Sequence, residues 1–222
     1  MKTLLVAGSS SDIGTEVVFE GMERGWSTIG TFYSTLGQAH EIYLCDLSDD
    51  DSIRSFFKKL GNRRIDAVVM SSFPFLTADP MNIDHSKQAL ALLDGHIQFM
   101  IKASERLVEG GRIINILGQC TNSGLVEAPH YSAAFSYMDN WSKSVNSHPD
   151  YGRKGKLWIT NLLLALVETR EIAGMTEEVK KGYAKSMTRL IQDTEVAQQV
   201  WSLIESPYPI SSVMMDGGYS LR

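Results

Sequence analysis

The fold is decided by residues 2–14, Lys2-Thr3-Leu4-Leu5-Val6-Ala7-Gly8-Ser9-Ser10-Ser11-Asp12-Ile13-Gly14, an apolar run that breaks into a Gly/Ser loop and continues as a helix. Four consecutive apolar residues suit a strand buried on both faces of a parallel sheet, and Gly8 and Gly14 allow a tight turn. The loop amides and the helix N-terminus then point to one spot, which favours an anion such as a pyrophosphate. We expect Asp12 to be the N-cap of this helix.

Length and composition limit the number of domains and the kinds of partner that the chain can have. With 222 residues, 43% of them hydrophobic, and no linker or repeat, the chain is expected to form one domain over residues 1–222. The net charge of -5 argues against a nucleic-acid partner. The longest apolar stretch, residues 157–167, is too short to span a bilayer, so we expect no membrane partner.

The cysteines and histidines give no sign of a metal site. Cys45 and Cys120 are far apart and form no CxxC motif, which argues against a disulfide framework and against zinc. The five histidines lack the spacing that is typical of metal ligands. A reduced protein without a metal is expected, and its predicted location is the cytoplasm.

Strands alternate with helices along the chain. The pattern predicts strands at residues 3–7, 27–33, 41–45, 65–70, 112–117, 157–164 and 213–215, and helices at 13–24, 48–59, 84–108, 130–146, 176–187 and 193–205. This order is typical of an α/β fold, a Rossmann-type doubly wound sheet of about seven parallel strands with helices on both faces. Ligands of such sheets bind beyond the carboxyl ends of the strands, where the first loop lies.

Several motifs resemble those of the short-chain dehydrogenase/reductase (SDR) family, and the resemblance covers nearly the whole chain. Residues 7–14 resemble the TGxxxGxG loop, with Asp12 in place of its middle glycine. The other matching segments are Asp46-Leu47, residues 110–116 before the active site, Tyr131-Ser132-Ala133-Ala134 at the start of the YxxxK motif, residues 193–197 and residues 215–219.

The resemblance implies a nicotinamide cofactor, NAD(P)(H), in the cleft above the sheet. The residues implied to contact it are Gly8, Ser10, Ser11, Ile13, Gly14, Ser34, Asp46, Leu47, Ser71 and Thr169. No acidic residue follows the second strand before Glu41, so a carboxylate for an NAD ribose is absent there. No Arg or Lys is present there either, but Ser34 and Thr35 can bond a phosphate, and NADP(H) is therefore slightly preferred over NAD(H).

The catalytic set that the resemblance implies is a Ser, a Tyr, a Lys and an Asn, and only Tyr131 is present. Gly118 stands at the Ser position, Phe135 at the Lys position and Leu92 near the Asn position, while the NNAG segment is replaced by residues 70–73. Without a neighbouring cation, the pKa of Tyr131 is expected to stay near about 10. A neutral phenol donates a proton well but accepts one poorly, so reduction is favoured over oxidation.

Other residues near Tyr131 have two interpretations. His130 and the polar segment 119–123 can replace the missing Ser, but such a run is more often a hydrogen-bonded loop. His96 lies one turn from the Asn position and is expected to be a partly exposed helix histidine. The stripe of Phe135, Met138 and Trp141 is expected in the core or a subunit interface rather than in a substrate pocket.

The leading functional hypothesis is an NAD(P)H-dependent reductase that acts on a carbonyl or activated double bond of a small, largely apolar substrate, with Tyr131 as the proton donor. One alternative is non-redox acid/base chemistry, such as dehydration or isomerisation, in the same pocket. Another is a catalytically degenerate protein that keeps only a nucleotide-binding or structural role. The resemblance also implies a homodimer or homotetramer.

Overall fold

The structure, a computed structural model, describes residues 1–74, 79–122, 124–126, 128–174 and 189–217, with only the backbone of Glu171. Its strands are β1 (Thr3–Ala7), β2 (Ser27–Phe32), β3 (Glu41–Leu44), β4 (Ile65–Met70), β5 (Leu107–Gly118), β6 (Trp158–Leu164), β7 (Val167–Glu168), β8 (Ile191–Gln192) and β9 (Ser212–Met215). Its helices are α1 (Asp12–Glu23), α2 (Asp50–Leu60), α3 (Ile83–Ser104), α4 (Pro129–Ser147), α5 (Arg170–Ala173) and α6 (Asp193–Glu205), with a short 3₁₀ turn over Gln119–Thr121.

Seven strands form one parallel sheet in the order β3-β2-β1-β4-β5-β6-β9. The order reverses direction at β1 and β4, and such a switch point opens a crevice at the carboxyl ends of the strands. A separate two-stranded sheet pairs β7 with β8. The predicted Rossmann-type α/β fold is confirmed.

Helices cover both faces of the sheet. Successive side chains of a strand point to opposite sides, and here the apolar side chains on each side pack against helices. Leu5 of β1 packs on one side with Phe56 of α2 and Phe99 of α3. Leu4 packs on the other side with Trp201 of α6. The strands are therefore buried on both faces, which explains their nearly continuous apolar sequences.

The predicted helix over residues 84–108 is too long. The structure ends α3 at Ser104, and Leu107 already pairs with Ile65 as the first residue of β5. The ladder shifts its register between Ile65 and Ala67, and Gly110 takes a positive φ of 76°. The glycines therefore lie in an irregular part of the strand instead of ending the helix.

The predicted strand over residues 112–117 is too short, because β5 begins at Leu107. The other predicted elements within the described residues lie close to their observed bounds, and α6 has the predicted bounds. The predicted helix over residues 176–187 lies outside the described residues, as do Ser123 and the final part of the C-terminal motif. Among the described residues, no helix is both long enough and apolar enough to cross a membrane.

Candidate functional site

The loop after β1 is held in a compact turn by its glycines and serines. Gly8 has a φ of 82°, and a Cβ there would lie 2.5 Å from the carbonyl oxygen of Ser71. Ser11 is the N-cap of α1, since its Oγ accepts a hydrogen bond from the Gly14 amide at 3.0 Å and donates to the Gly8 carbonyl at 2.9 Å. The positive end of the α1 dipole therefore faces the space above the loop.

The prediction that Asp12 caps α1 is wrong, because Asp12 is paired with a distant cation. Its Oδ2 accepts a hydrogen bond from the Arg170 amide at 2.7 Å, and its Oδ1 forms an ion pair with Nε of Arg170. Nη2 of Arg170 also donates to the Ser10 carbonyl at 3.1 Å. The Arg170 side chain is still 71% exposed, so this pairing positions a guanidinium beside the loop with part of it open to a ligand.

A cleft of about 810 Å³ opens above the carboxyl ends of the first four strands of the sequence. Hydroxyl groups dominate its polar lining, and Arg170 adds a cation. The lining residues are Gly8, Ser10, Ser11, Thr31, Phe32, Tyr33, Ser34, Thr35, Cys45, Asp46, Leu47, Ser48, Ser71, Ser72, Phe73, Pro74, Gln88, Leu92 and Arg170.

The structure brings most of the predicted cofactor-binding residues together around this cleft. Those that line it are Gly8, Ser10, Ser11, Ser34, Asp46, Leu47 and Ser71. Ile13 packs against the core beside α6, and Gly14 is buried under the loop, where a Cβ would lie 2.2 Å from the Gly8 carbonyl oxygen. Thr169 caps α5 by accepting a hydrogen bond from the Ile172 amide at 3.5 Å.

One end of the cleft is formed by the segments after β2 and β3. Asp46 accepts hydrogen bonds from the amide and the hydroxyl of Ser48 at 2.8 and 2.7 Å, which hold its carboxylate in place. Burial raises the pKa of the neighbouring Cys45 thiol to about 12, so this group is neutral. Ser34 and Thr35 are exposed and line the same cleft. The segment after β2 therefore offers the hydroxyls of Ser34 and Thr35 to a ligand. The sequence predicts no NAD-binding carboxylate at this position.

Tyr131, the predicted proton donor, lies in an aromatic cluster at the start of α4. The centroid of its ring is 4.1 Å from that of Phe135 and 5.7 Å from that of Phe73. Phe135 is only 2% exposed and packs with Leu117, Met138 and other apolar residues, so this part of the stripe belongs to the core. Phe73 also lines the cleft, so the aromatic cluster around Tyr131 adjoins the cleft at this residue.

Gly118 and Phe135, which the sequence predicts at the Ser and Lys positions of the catalytic set, lie next to each other in the structure. A Cβ added to Gly118 would lie 3.2 Å from Cε2 of the Phe135 ring and 3.1 Å from Sγ of Cys120. These contacts are tighter than most van der Waals separations, so a larger residue at position 118 would require Cys120 or the Phe135 ring to shift by a few tenths of an ångström. Gly118 and Phe135 are therefore close neighbours in the packed structure.

His96 differs from its predicted environment because it is buried, with 2% exposure, instead of partly exposed. Its Nδ1 lies 3.1 Å from the Leu92 carbonyl oxygen, and its Nε2 lies 3.1 Å from Oγ of Ser72. Burial lowers the pKa of His96 to about 4, although the bond to Leu92 opposes this shift. The imidazole is therefore neutral at physiological pH.

This pKa predicts an acid-sensitive contribution to stability. The unfolded state, with a pKa near 6.5, binds more protons than the folded state between pH 6.5 and about 4, so stability falls as the pH drops through this window. Between about pH 7 and about pH 5, wild type should lose about 2 kcal/mol more unfolding free energy than His96→Gln. Urea unfolding of both proteins at the two pH values measures this difference, and equal losses would contradict the assignment.

The sequence did not reveal the roles of three residues of the site, Arg170, Ser72 and Phe73. Arg170 follows Thr169 in the sequence, but its pairing with Asp12 spans 158 positions. Ser72 and Phe73 were noted only as replacements in a family motif, and their contacts with α3 and α4 depend on the fold. The carboxylate of Asp12 in a phosphate-type loop, which the sequence pattern assigns to an N-cap, was a signal for a nearby cation.

The residues of the cleft fit a dinucleotide at its phosphate and adenosine parts. The exposed guanidinium of Arg170 and the first turn of α1 suit a diphosphate, and the cleft has room on both sides of the loop. Among the described residues, no group of three or more His, Cys, Asp or Glu side chains is arranged to hold a metal ion.

Sheet order, loop and cleft together define the fold of the short-chain dehydrogenase/reductases. A short-chain dehydrogenase family protein from Francisella tularensis superposes with a TM-score of 0.86 at 19% identity, over 99% of this chain and 98% of that one. A short-chain dehydrogenase from Burkholderia cenocepacia, solved in complex with NADP, gives a TM-score of 0.85 at 17% identity, over 98% and 97% of the two chains.

A sequence relative agrees with this likeness. Carbonyl reductase family member 4 from Xenopus laevis is 28% identical over 197 residues, which cover 83% of this chain and 80% of the relative. No protein-family profile matches the chain. The resemblance predicted from the sequence is confirmed.

Proposed function

We propose that the protein is an SDR-like reductase that binds NAD(P)H and reduces a carbonyl or an activated double bond of a small, largely apolar substrate. The observation that carries the proposal is the cleft, in which Arg170 and the α1 N-terminus meet at the loop after β1. The similarity to a carbonyl reductase and to a dehydrogenase solved with NADP supports a nicotinamide cofactor.

The chain's residues would hold the cofactor in three parts. Asp46 and Leu47 would contact the adenine, Ser34 and Thr35 the adenosine ribose or its phosphate, and Arg170 the diphosphate. The hydroxyls of Ser34 and Thr35 suit a phosphate without excluding a free ribose, so NADP(H) is preferred only slightly. Ser10, Ser11 and Ser71 complete the wall around the loop.

Bound reduced nicotinamide supplies a hydride. In the proposed reaction, Oη of Tyr131 donates a proton to the substrate oxygen, while the rings of Phe73 and Phe135 exclude water from that side of the tyrosine. No Lys is present at position 135 to stabilise a tyrosinate, and reduction is favoured over oxidation for this reason.

Tyr131→Phe is expected to lower the rate of NADPH oxidation with a carbonyl substrate by at least about 100-fold, because it removes the proton donor. It should leave the Kd for NADPH within about twofold, since the substitution removes one hydroxyl and keeps the ring that packs on Phe73 and Phe135. The measurement is steady-state absorbance of NADPH against a panel of small apolar ketones and aldehydes, with Tyr137→Phe, an exposed tyrosine on the same helix, as the control. Undiminished activity in Tyr131→Phe would show that another group donates the proton.

A second candidate function is a nucleotide-binding pseudoenzyme. The specific observation in its favour is the packing of the Tyr131 ring against Phe73 and against the buried Phe135, which stands where the resemblance implies a lysine. If NADPH binds but no carbonyl in the panel oxidises it, this second function replaces the first. A single domain, a homo-oligomeric assembly and a cytoplasmic location remain predictions from the sequence.

A further inference from the structure

Ser72 and His96 form a polar pair in the wall of the cleft that none of the proposed chemistry uses. Ser72 lines the cleft, and its Oγ lies 3.1 Å from Nε2 of the buried His96. On the other side of the ring, Nδ1 lies 3.1 Å from the carbonyl oxygen of Leu92. A buried imidazole bonded at both nitrogens has a fixed orientation.

The partners of the ring decide the direction of both hydrogen bonds. A carbonyl oxygen only accepts, so Nδ1 of His96 carries the proton and donates to Leu92. The imidazole is neutral, and its Nε2 is therefore a lone pair that accepts the hydroxyl proton of Ser72. With its proton directed into the wall, the Ser72 oxygen offers only lone pairs to a ligand.

The position of Ser72 along the cleft determines which part of a bound dinucleotide this residue would contact. A Cβ on Gly8 would lie 2.8 Å from Cα of Ser72, so Ser72 adjoins the loop where a diphosphate would lie. The next residue, Phe73, contacts the ring of Tyr131, with 5.7 Å between centroids. Ser72 thus lies between the phosphate position and the proposed proton donor.

We infer that Ser72, oriented by His96, is a hydrogen-bond acceptor for a hydroxyl of the sugar that links the diphosphate to the nicotinamide. This inference rests on the proposed function, because the order of groups along the cleft is that of a dinucleotide. Ser72 is a binding residue, and His96 is a positioning residue that acts through it. Sugar hydroxyls are donors, which matches an oxygen whose own proton is already used.

The test compares three ligands that differ in this sugar. NADPH and ADP-ribose contain it, whereas ADP ends at the diphosphate. Ser72→Ala is expected to weaken NADPH and ADP-ribose about tenfold and to leave ADP within about twofold, as measured by calorimetric titration. Ser104→Ala, at a half-buried serine at the end of α3, is the matched control and should change none of the three affinities. Equal losses for all three ligands, or none, would overturn the inference.

Variants of His96 separate orientation from packing. Gln keeps an acceptor near the Nε2 position and should retain affinity for ADP-ribose within about twofold, whereas Met has similar bulk but no strong acceptor and should weaken ADP-ribose about threefold without affecting ADP. If Gln and Met give the same affinity, His96 does not orient Ser72. If Ser72→Ala weakens ADP-ribose but not ADP, and the wild-type protein never oxidises NADPH, the inference about Ser72 holds and the proposed reductase function fails. If the protein oxidises NADPH but Ser72→Ala does not distinguish ADP-ribose from ADP, the reductase function holds and the inference about Ser72 fails.

Discussion

Gly95→Ala is expected to destabilise the protein by at least about 3 kcal/mol, a large effect for a single methyl group on a helix. A Cβ at this position would lie 1.5 Å from the carbonyl oxygen of Leu47, which is a backbone atom and cannot rotate away. Only a glycine allows α3 to approach the loop after β3 so closely. The helix or the loop must move when the methyl group is added.

The contact between Gly95 and the Leu47 carbonyl also supports the wall of the cleft, since Leu47 lines the cleft beside Asp46. Gly95→Ala is therefore also expected to weaken ADP binding. Equilibrium unfolding in urea measures the first effect, with Asp94→Ala as the control, because Asp94 is exposed and its loss should cost about 0.5 kcal/mol or less. A stable Gly95→Ala variant would mean that α3 does not dock on the Leu47 carbonyl.

Phe135→Lys, which places the family's lysine in this chain, is expected to lower stability by about 4 kcal/mol or more. Phe135 is 2% exposed among Leu93, Leu117 and Met138, so a lysine there loses the packing of the ring and carries a charge into an apolar cluster. A single substitution should therefore not create the family's catalytic pair. The expected result is early thermal unfolding rather than new activity.

Phe135→Leu is the matched control, and it should cost about 1 kcal/mol because it keeps an apolar side chain of smaller volume. Thermal unfolding of the two variants in parallel gives the comparison. A Phe135→Lys protein with the unfolding temperature of wild type would show that position 135 opens to the cleft. In that case the Gly118 and Phe135 contact would not close this part of the site.

The architecture of the chain could be predicted from its sequence because its signals are local. Buried parallel strands appear as short apolar runs, and α6 has the same bounds in the prediction and in the structure. The predicted C-terminus of α3 is wrong because Leu107 has helix-compatible neighbours in the sequence but pairs with Ile65 across the sheet. Pairing between distant segments overrides local pattern at such boundaries.

The site was less predictable because its decisive contacts join distant positions. Asp12 matches an N-cap pattern, yet its carboxylate meets Arg170 only when the end of β7 approaches the loop after β1. His96 on a partly exposed helix was expected to face solvent, but α3 packs that face on the segment after β4. Gly118 and Phe135 are separate positions in the sequence, and only the fold places the Phe135 ring beside Gly118.

A calorimetric titration with NADPH and NADH tests most directly whether the cleft at the carboxyl ends of the strands binds a nicotinamide dinucleotide. We expect saturable binding of NADPH with a Kd in the micromolar range, weaker binding of NADH, and at least about a tenfold loss of NADPH affinity in Arg170→Glu, which turns the cation at the loop into an anion. Absence of saturable binding for both dinucleotides at millimolar concentration would show that the cleft is not a dinucleotide site.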